Sequence, residues 1–246
     1  MHKVIVLALS MICGLLSCIK EDNRTTARTY TYTPPVIPVP DTSTVPSRSF
    51  LALGDSYTIG QSVLVADRFP VQTVKYLKEQ GVTFSNPEII AQTGWTTGNL
   101  LNSLDFAGPS KTSYDIVTLL IGVNNQYQRL PRQQYADQFL ILLNKSIIYA
   151  GNNKKRVMVL SIPDYSVTQF ASGSDTSLIA REIDAFNEIN KKVTDQAGVA
   201  YLDITGISRL AAFDSKLIAG DGLHPSGLQY KLWVDLLVPV IIKALQ

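Results

Sequence analysis

From residue 50 onward, short apolar runs alternate with stretches in which apolar positions recur at a helical period. The runs are Phe50-Leu51-Ala52-Leu53, Glu88 to Ala91, Asp115 to Ile121, Val157 to Ile162 and Val199 to Asp203. Runs this short, nearly continuous in apolar residues, fit strands buried on both faces. The first helical stretch covers Arg68 to Gln80, with Phe69, Val71, Val74 and Leu77 facing inward and Gly81 after its end. A second starts at Pro131 and carries Tyr135, Phe139, Leu142, Leu143 and Ile147 before Gly151. A third, Ser177 to Ala197, holds Ile179, Ile183, Phe186 and Val193 in register and stops at Gly198. The last follows His224-Pro225, with Ser226 as cap and Gln229 in capping-box position. It runs through Trp233, Leu236, Leu237 and Ile241, and Pro239 is expected to kink it. Strand–helix alternation of this kind predicts a five-stranded parallel sheet covered by helices on both faces. In such sheets ligands bind beyond the carboxyl ends of the strands, where the strand order reverses.

The chain divides into three parts. Residues 1–17 read as an export signal: Lys3 is positive, and Val4 to Leu16 is apolar but too short to span a bilayer. Leu15-Leu16-Ser17-Cys18 resembles the bacterial lipoprotein signal, which implies that Cys18 is lipidated and becomes the first residue. Ile19-Lys20-Glu21-Asp22 is similar to a surface-export tag of some such lipoproteins. Residues 18–48, rich in Thr, Pro and Ser, cannot bury a core and read as a tether. The folded domain is 49–246. The expected location is the cell envelope, lipid-anchored to the outer membrane on its periplasmic or outer side, with that anchor the only membrane contact. The formal net charge is only +2, and no basic stripe is interleaved with aromatics, which excludes nucleic acid as a partner class.

Subtracting the leader sharpens the chemistry. Of two cysteines and two histidines, Cys13 and His2 leave with the signal and Cys18 is the anchor. The domain then has no thiol and one histidine, His224. A zinc site of the usual histidine type needs more, so neither metal nor other cofactor is expected. Asp221-Gly222-Leu223-His224 puts a carboxylate three residues before that histidine, a spacing at which it can accept from Nδ1 and leave Nε2 free as a base. Asp203, at the end of the fifth run, is a rival partner. Gly54-Asp55-Ser56 follows the first run, and a serine at a strand exit presents an exposed hydroxyl, as a nucleophile must. Alone, the triplet is no more than a polar turn. Acyl transfer also needs donors for an oxyanion, and the candidates are the backbone N–H groups of Ser56 and Gly94 and the side-chain amide of Asn124. Each follows the end of a different apolar run.

Gly54-Asp55-Ser56, Gly94, Gly122-Val123-Asn124 and Asp221-Gly222-Leu223-His224 resemble, in order, the four blocks of the GDSL/SGNH hydrolase family. The resemblance spans 49–246. It implies a flavodoxin-like three-layer α/β/α fold and cofactor-free hydrolysis of esters or thioesters. By motif match, Ser56 is the nucleophile, Asp221 and His224 the acid and base partners, and Gly94 and Asn124 the oxyanion residues. Two positions depart from the family pattern: Asn125 stands where the third block has Asp, and Tyr57 where the first has Leu. The expected function is a serine esterase working through an acyl-enzyme, deacetylating a glycan or a small ester. The alternatives are a lysophospholipase- or thioesterase-type acyl hydrolase, and a catalytically inactive surface glycan-binding protein on the same fold. Trp95, Tyr57, Gln126 and Tyr127 are expected near the site.

Overall fold

The computed structural model describes residues 47–246. The leader, Cys18 and most of the tether lie outside the described residues. Arg48 is already paired: its N–H donates to the Thr83 carbonyl at 3.0 Å.

Five parallel strands form one sheet in the order β2-β1-β3-β4-β5. They are β1 (Phe50–Gly54), β2 (Glu88–Ala91), β3 (Ile116–Leu120), β4 (Val157–Leu160) and β5 (Ala200–Leu202). Each lies within a residue or two of its apolar run. In β1, β3 and β4 every residue is buried, as continuous apolar composition requires of strands covered on both faces.

Among the described residues there are eight α-helices: α1 (Ser56–Ile59), α2 (Phe69–Glu79), α3 (Thr97–Phe106), α4 (Val123–Tyr127), α5 (Arg132–Tyr149), α6 (Thr176–Ala197), α7 (Thr205–Arg209) and α8 (Gly227–Ala244). The connection from β1 to β2 crosses the sheet one way, and those from β2 through β5 cross it the other way. Right-handed crossovers therefore put α2 on one face and α3, α5 and α6 on the opposite one. The packing agrees: α2 lies against α8, while α5 packs on both α3 and α6. Among the described residues, no helix is long and apolar enough to cross a membrane.

Helix faces follow the apolar period, with informative exceptions in α2, α3 and α8. In α2, Gln72 and Thr73 are more buried than Val71. Gln72 Nε2 is spent on the carbonyls of Asp67 and Gly227, which joins α2 to the start of α8. Ser226 caps α8 by accepting from Gln229 N–H, but the reciprocal half of the expected capping box is absent. The Gln229 amide donates instead to the Leu217 carbonyl, 3.1 Å away. Leu236, expected inside, is 42% exposed. Helix α3 is drawn by none of the apolar periods, and its start is held by a capping box between Thr96 and Asn99.

The order reverses between β1 and β3. Gly54 and Leu120 are register partners at the carboxyl ends of these two strands, so the chain leaves them side by side.

Candidate active site

At the exit of β1, crowding dictates the sequence. A Cβ on Gly54 would fall 2.1 Å from Thr58 Oγ1 and 2.3 Å from the Leu120 carbonyl oxygen, so only glycine lets β1 and β3 close at this point. Asp55 caps α1 by accepting from the Tyr57 N–H at 3.0 Å. Ser56 is the first residue of that helix, where a backbone N–H has no intrahelical acceptor. Its residue is 4% exposed, and it opens onto a cleft.

At the exit of β3, Gly122 has φ +136°, and a Cβ there would meet the Tyr135 ring at 2.7 Å. The turn delivers Asn124 into the first turn of α4. Asn124 Nδ2 donates to the Trp95 carbonyl at 3.0 Å, leaving its second amide proton for another acceptor. Gly94, one residue before Trp95, is exposed with φ +82°. Its carbonyl accepts from Gln128 Nε2 at 3.4 Å.

Asn125 is fully buried and ties the exit of β3 to the segment that follows β2. Its Oδ1 accepts from Thr97 N–H at 3.0 Å, and its Nδ2 donates to Thr97 Oγ1 at 2.7 Å. The Thr97 hydroxyl passes its own proton to Gln138 Oε1 at 2.6 Å. This chain of donors needs an amide at 125, because a carboxylate has no N–H for Thr97. The departure from the family's Asp is thus matched by its surroundings. On the other side of the same loop, Thr93 Oγ1 donates to Gln61 Oε1. The Gly94 segment is therefore fastened at both flanks.

His224 arrives from the loop before α8 and is 6% exposed. Its Nδ1 stands 2.6 Å from Asp221 Oδ2. Asp221 Oδ1 accepts the N–H groups of Leu223 and His224, both at 3.0 Å, and Oδ2 also receives the Ser62 hydroxyl at 2.6 Å. Burial works against this carboxylate's charge. The Ser62 hydroxyl, the backbone N–H groups and the imidazole outweigh it and hold Asp221 well below the usual carboxylate range. Asp203 is no rival: its Oδ1 accepts from Ser161 Oγ and from Thr205 N–H, at the head of α7.

Ser56, Asn124 and His224 line one cleft together with Tyr57, Val123, Tyr127, Tyr165, Phe170 and Leu223. Asp221 stands behind His224 and Gly94 beside Trp95, outside that lining. The Tyr57 ring lies 5.0 Å from the imidazole, centroid to centroid. Burial pushes its phenol well above the ordinary value, so it stays neutral. Trp95, expected nearby, is half-buried against the core. Gln126, buried, donates its amide to Glu182 at 2.7 Å and stands outside the cleft lining. Tyr165 and Phe170 come from the irregular segment after β4, which carries no motif, and only the fold reveals them. Among the described residues no three His, Cys, Asp or Glu side chains converge as a metal-binding group.

A serine, a histidine paired with a carboxylate and an amide donor meet at the switch point of a parallel sheet, the groups that nucleophilic acyl chemistry requires. The comparisons with known proteins narrow this to a family. The model of the GDSL-like lipase/acylhydrolase family matches residues 52–232, so the chain belongs to that family of ester-hydrolysing enzymes. No curated protein sequence matches it. Among solved structures, the crystal structure of TesA overlays with a TM-score of 0.63 at 16% identity, covering 80% of this chain and 99% of that one. A lipase/acylhydrolase from Enterococcus faecalis gives 0.63 at 18% identity, covering 81% and 97%. The acetylxylan esterase Axe2 from Geobacillus stearothermophilus gives 0.57 at 14% identity, covering 79% and 94%. At these identities the likeness is one of fold.

Proposed function

We propose that this protein is a serine esterase that removes short acyl groups, acetyl foremost, from a glycan or a small ester. The observation that carries the reading is the 2.6 Å contact between His224 Nδ1 and Asp221 Oδ2, with His224 and Ser56 lining one cleft. The contact fixes the tautomer that leaves Nε2 as the base. In this reading Nε2 takes the Ser56 proton as Oγ attacks the ester carbonyl. The oxyanion is met by the Ser56 N–H, the Asn124 amide and the Gly94 N–H. The imidazolium then gives its proton to the departing alcohol. Water, deprotonated by the same nitrogen, attacks the acyl-enzyme and releases the acid. Contacts between such groups tighten only when substrate arrives.

The short acyl group is supported by the size of the cleft, about 80 Å³, well below the ~300–1,000 Å³ of sites for drug-sized ligands. The alcohol side opens past Tyr127 and Phe170, 55% and 48% exposed, with ring centroids 5.8 Å apart. Aromatic faces at a cleft mouth suit a sugar ring. The fold likeness to the acetylxylan esterase Axe2 favours the same substrate class. The leader and Leu15-Leu16-Ser17-Cys18 support a lipid-anchored enzyme of the cell envelope. The largely apolar lining favours a second reading, a lysophospholipase- or thioesterase-type hydrolase. The test compares acetyl with long-chain chromogenic esters, and acetylated xylan with lysophospholipid. Ser56→Ala should abolish turnover and fluorophosphonate labelling with the fold intact. An unchanged rate in that variant would refute the reading, and faster turnover of long-chain esters would favour the second one.

A further inference from the structure

Ser62 lies just past α1 and reaches Asp221 from 159 positions away in the chain. Its hydroxyl donates to Oδ2 at 2.6 Å, the same oxygen that His224 Nδ1 approaches at 2.6 Å. Its backbone is left-handed, φ 64°, one of three non-glycine residues with positive φ among those described. A side chain in that region costs about 1 kcal/mol or more, which glycine would avoid. Gly60, two positions earlier, does take that option. At 62 the chain keeps a hydroxyl despite the strain.

We infer that Ser62 is a positioning residue for the Asp221–His224 pair, fixing the rotation of the carboxylate and sharing the charge of Oδ2 with the imidazole. The inference rests on the esterase reading of Ser56, Asp221 and His224. Two consequences follow from the geometry. Without the hydroxyl, Oδ2 is anchored by the imidazole alone, while Oδ1 keeps its two backbone donors. The imidazole then has a less certain orientation, which lowers the rate. The freed lone pair also leaves Oδ2 a stronger acceptor for a charged imidazole, and the acid limb of the rate profile reads that change.

Other ionisable groups surround the pair. Tyr57 stacks near the imidazole, Tyr127 and Tyr165 line the cleft, and Tyr230 donates to the Tyr57 carbonyl. Arg68 packs under Gly60 and Asp67 against Gly227. Burial raises the phenols of Tyr57, Tyr165 and Tyr230, so these stay neutral through the working range. Asp55, beneath Ser56, is ionisable there, but equally with or without Ser62, and drops out of the difference.

The test compares the full chain with Ser62→Ala and Ser62→Gly. On a short-chain chromogenic ester, kcat should fall about tenfold in both variants, with KM within about twofold. The acid limb of kcat/KM should move to higher pH. The downfield proton signal of His224 Nδ1 should move in both, with circular dichroism like the parent's. Unchanged rates with an unmoved acid limb overturn the inference, as does a rate loss with an unmoved proton signal. Should the parent turn over no ester at all, the esterase reading falls. The proton signal then still decides, a shifted signal upholding the positioning role and an unmoved one overturning it.

Discussion

Two aspartates flank the cleft, one in each of the turns that build it, and they are held in opposite ways. Asp55, in the turn after β1, is completely buried, and only its Oδ1 has a partner, the Tyr57 N–H; Oδ2 has none. Asp221, in the turn before α8, has a side chain 29% exposed and receives two backbone N–H groups, a hydroxyl and an imidazole. Loss of hydration pushes the Asp55 carboxyl up to about 7, whereas Asp221 sits well below its ordinary value. A helix cap is worth about 1 kcal/mol. A rise from 3.8 to about 7 corresponds to roughly 4 kcal/mol against the charged form, at ~1.4 kcal/mol per unit. The cap cannot offset that, so Asp55 spends much of its time as a neutral acid while Asp221 remains a carboxylate. Donor count, more than sequence context, separates a structural aspartate from one that can stabilise an imidazolium.

Substitutions at the two turns would break this comparison if it is wrong. The largest effect is expected at the charged turn. Asp221→Asn removes the charge and the acceptor for Nδ1–H, and kcat should fall about 10³- to 10⁴-fold with little change in KM. A loss below tenfold would mean that Asp221 is only a turn former. Next comes a stability effect that depends on pH. Because the folded value of Asp55 is raised, its favourable contribution exists below the unfolded value, near 4, and is lost as pH rises toward 7. Asp55→Asn keeps a side-chain acceptor for the Tyr57 N–H and cannot ionise. It should therefore be more stable than the parent at pH 8 by about 1–3 kcal/mol, with the gain vanishing near pH 4. Denaturant melts at the two pH values measure it, and a gain that does not depend on pH would contradict the assignment. Asn125→Asp sharpens the rule in a third turn. It leaves one backbone donor, from Thr97, and loses the amide that Thr97 Oγ1 accepts. Destabilisation of about 1–3 kcal/mol is expected, with a severalfold drop in activity as the Gly94 and Asn124 segments loosen.

Much of this could be read from the chain because the signals were local. The strand runs are continuous and apolar, so Phe50 to Leu53 and Glu88 to Ala91 announce themselves. Asp221 and His224 are three residues apart, and their contact is decided within one turn. What the sequence hid is long-range. Ser62 meets Asp221 only after the whole sheet has formed, and a serine in an exposed loop has no periodic pattern to mark it. Tyr165 and Phe170 lie in a loop without motif, joined to Tyr127 by ring contacts of about 6 Å. Helix α3 is hidden in the sequence because its buried leucines, Leu100 and Leu104, make too short an apolar stripe, although Thr96 and Asn99 hold its start. Gln229 fits a capping box on spacing, yet the Leu217 carbonyl, brought in by the preceding loop, takes its amide.

Because all five strands run parallel, the domain has an entrance end and a working end. The chain enters at Ser49 and Phe50, at the amino edge of the central strand β1, whereas Ser56 opens at the carboxyl edge. Five residues of strand put roughly 16 Å of rigid sheet between them. Ser47 therefore stands at the end of β1 opposite the one that delivers Ser56, with the strand as a strut between them. A label on the exposed Ser47 would thus sit at the far end of that strut and leave the mouth between Tyr127 and Phe170 clear.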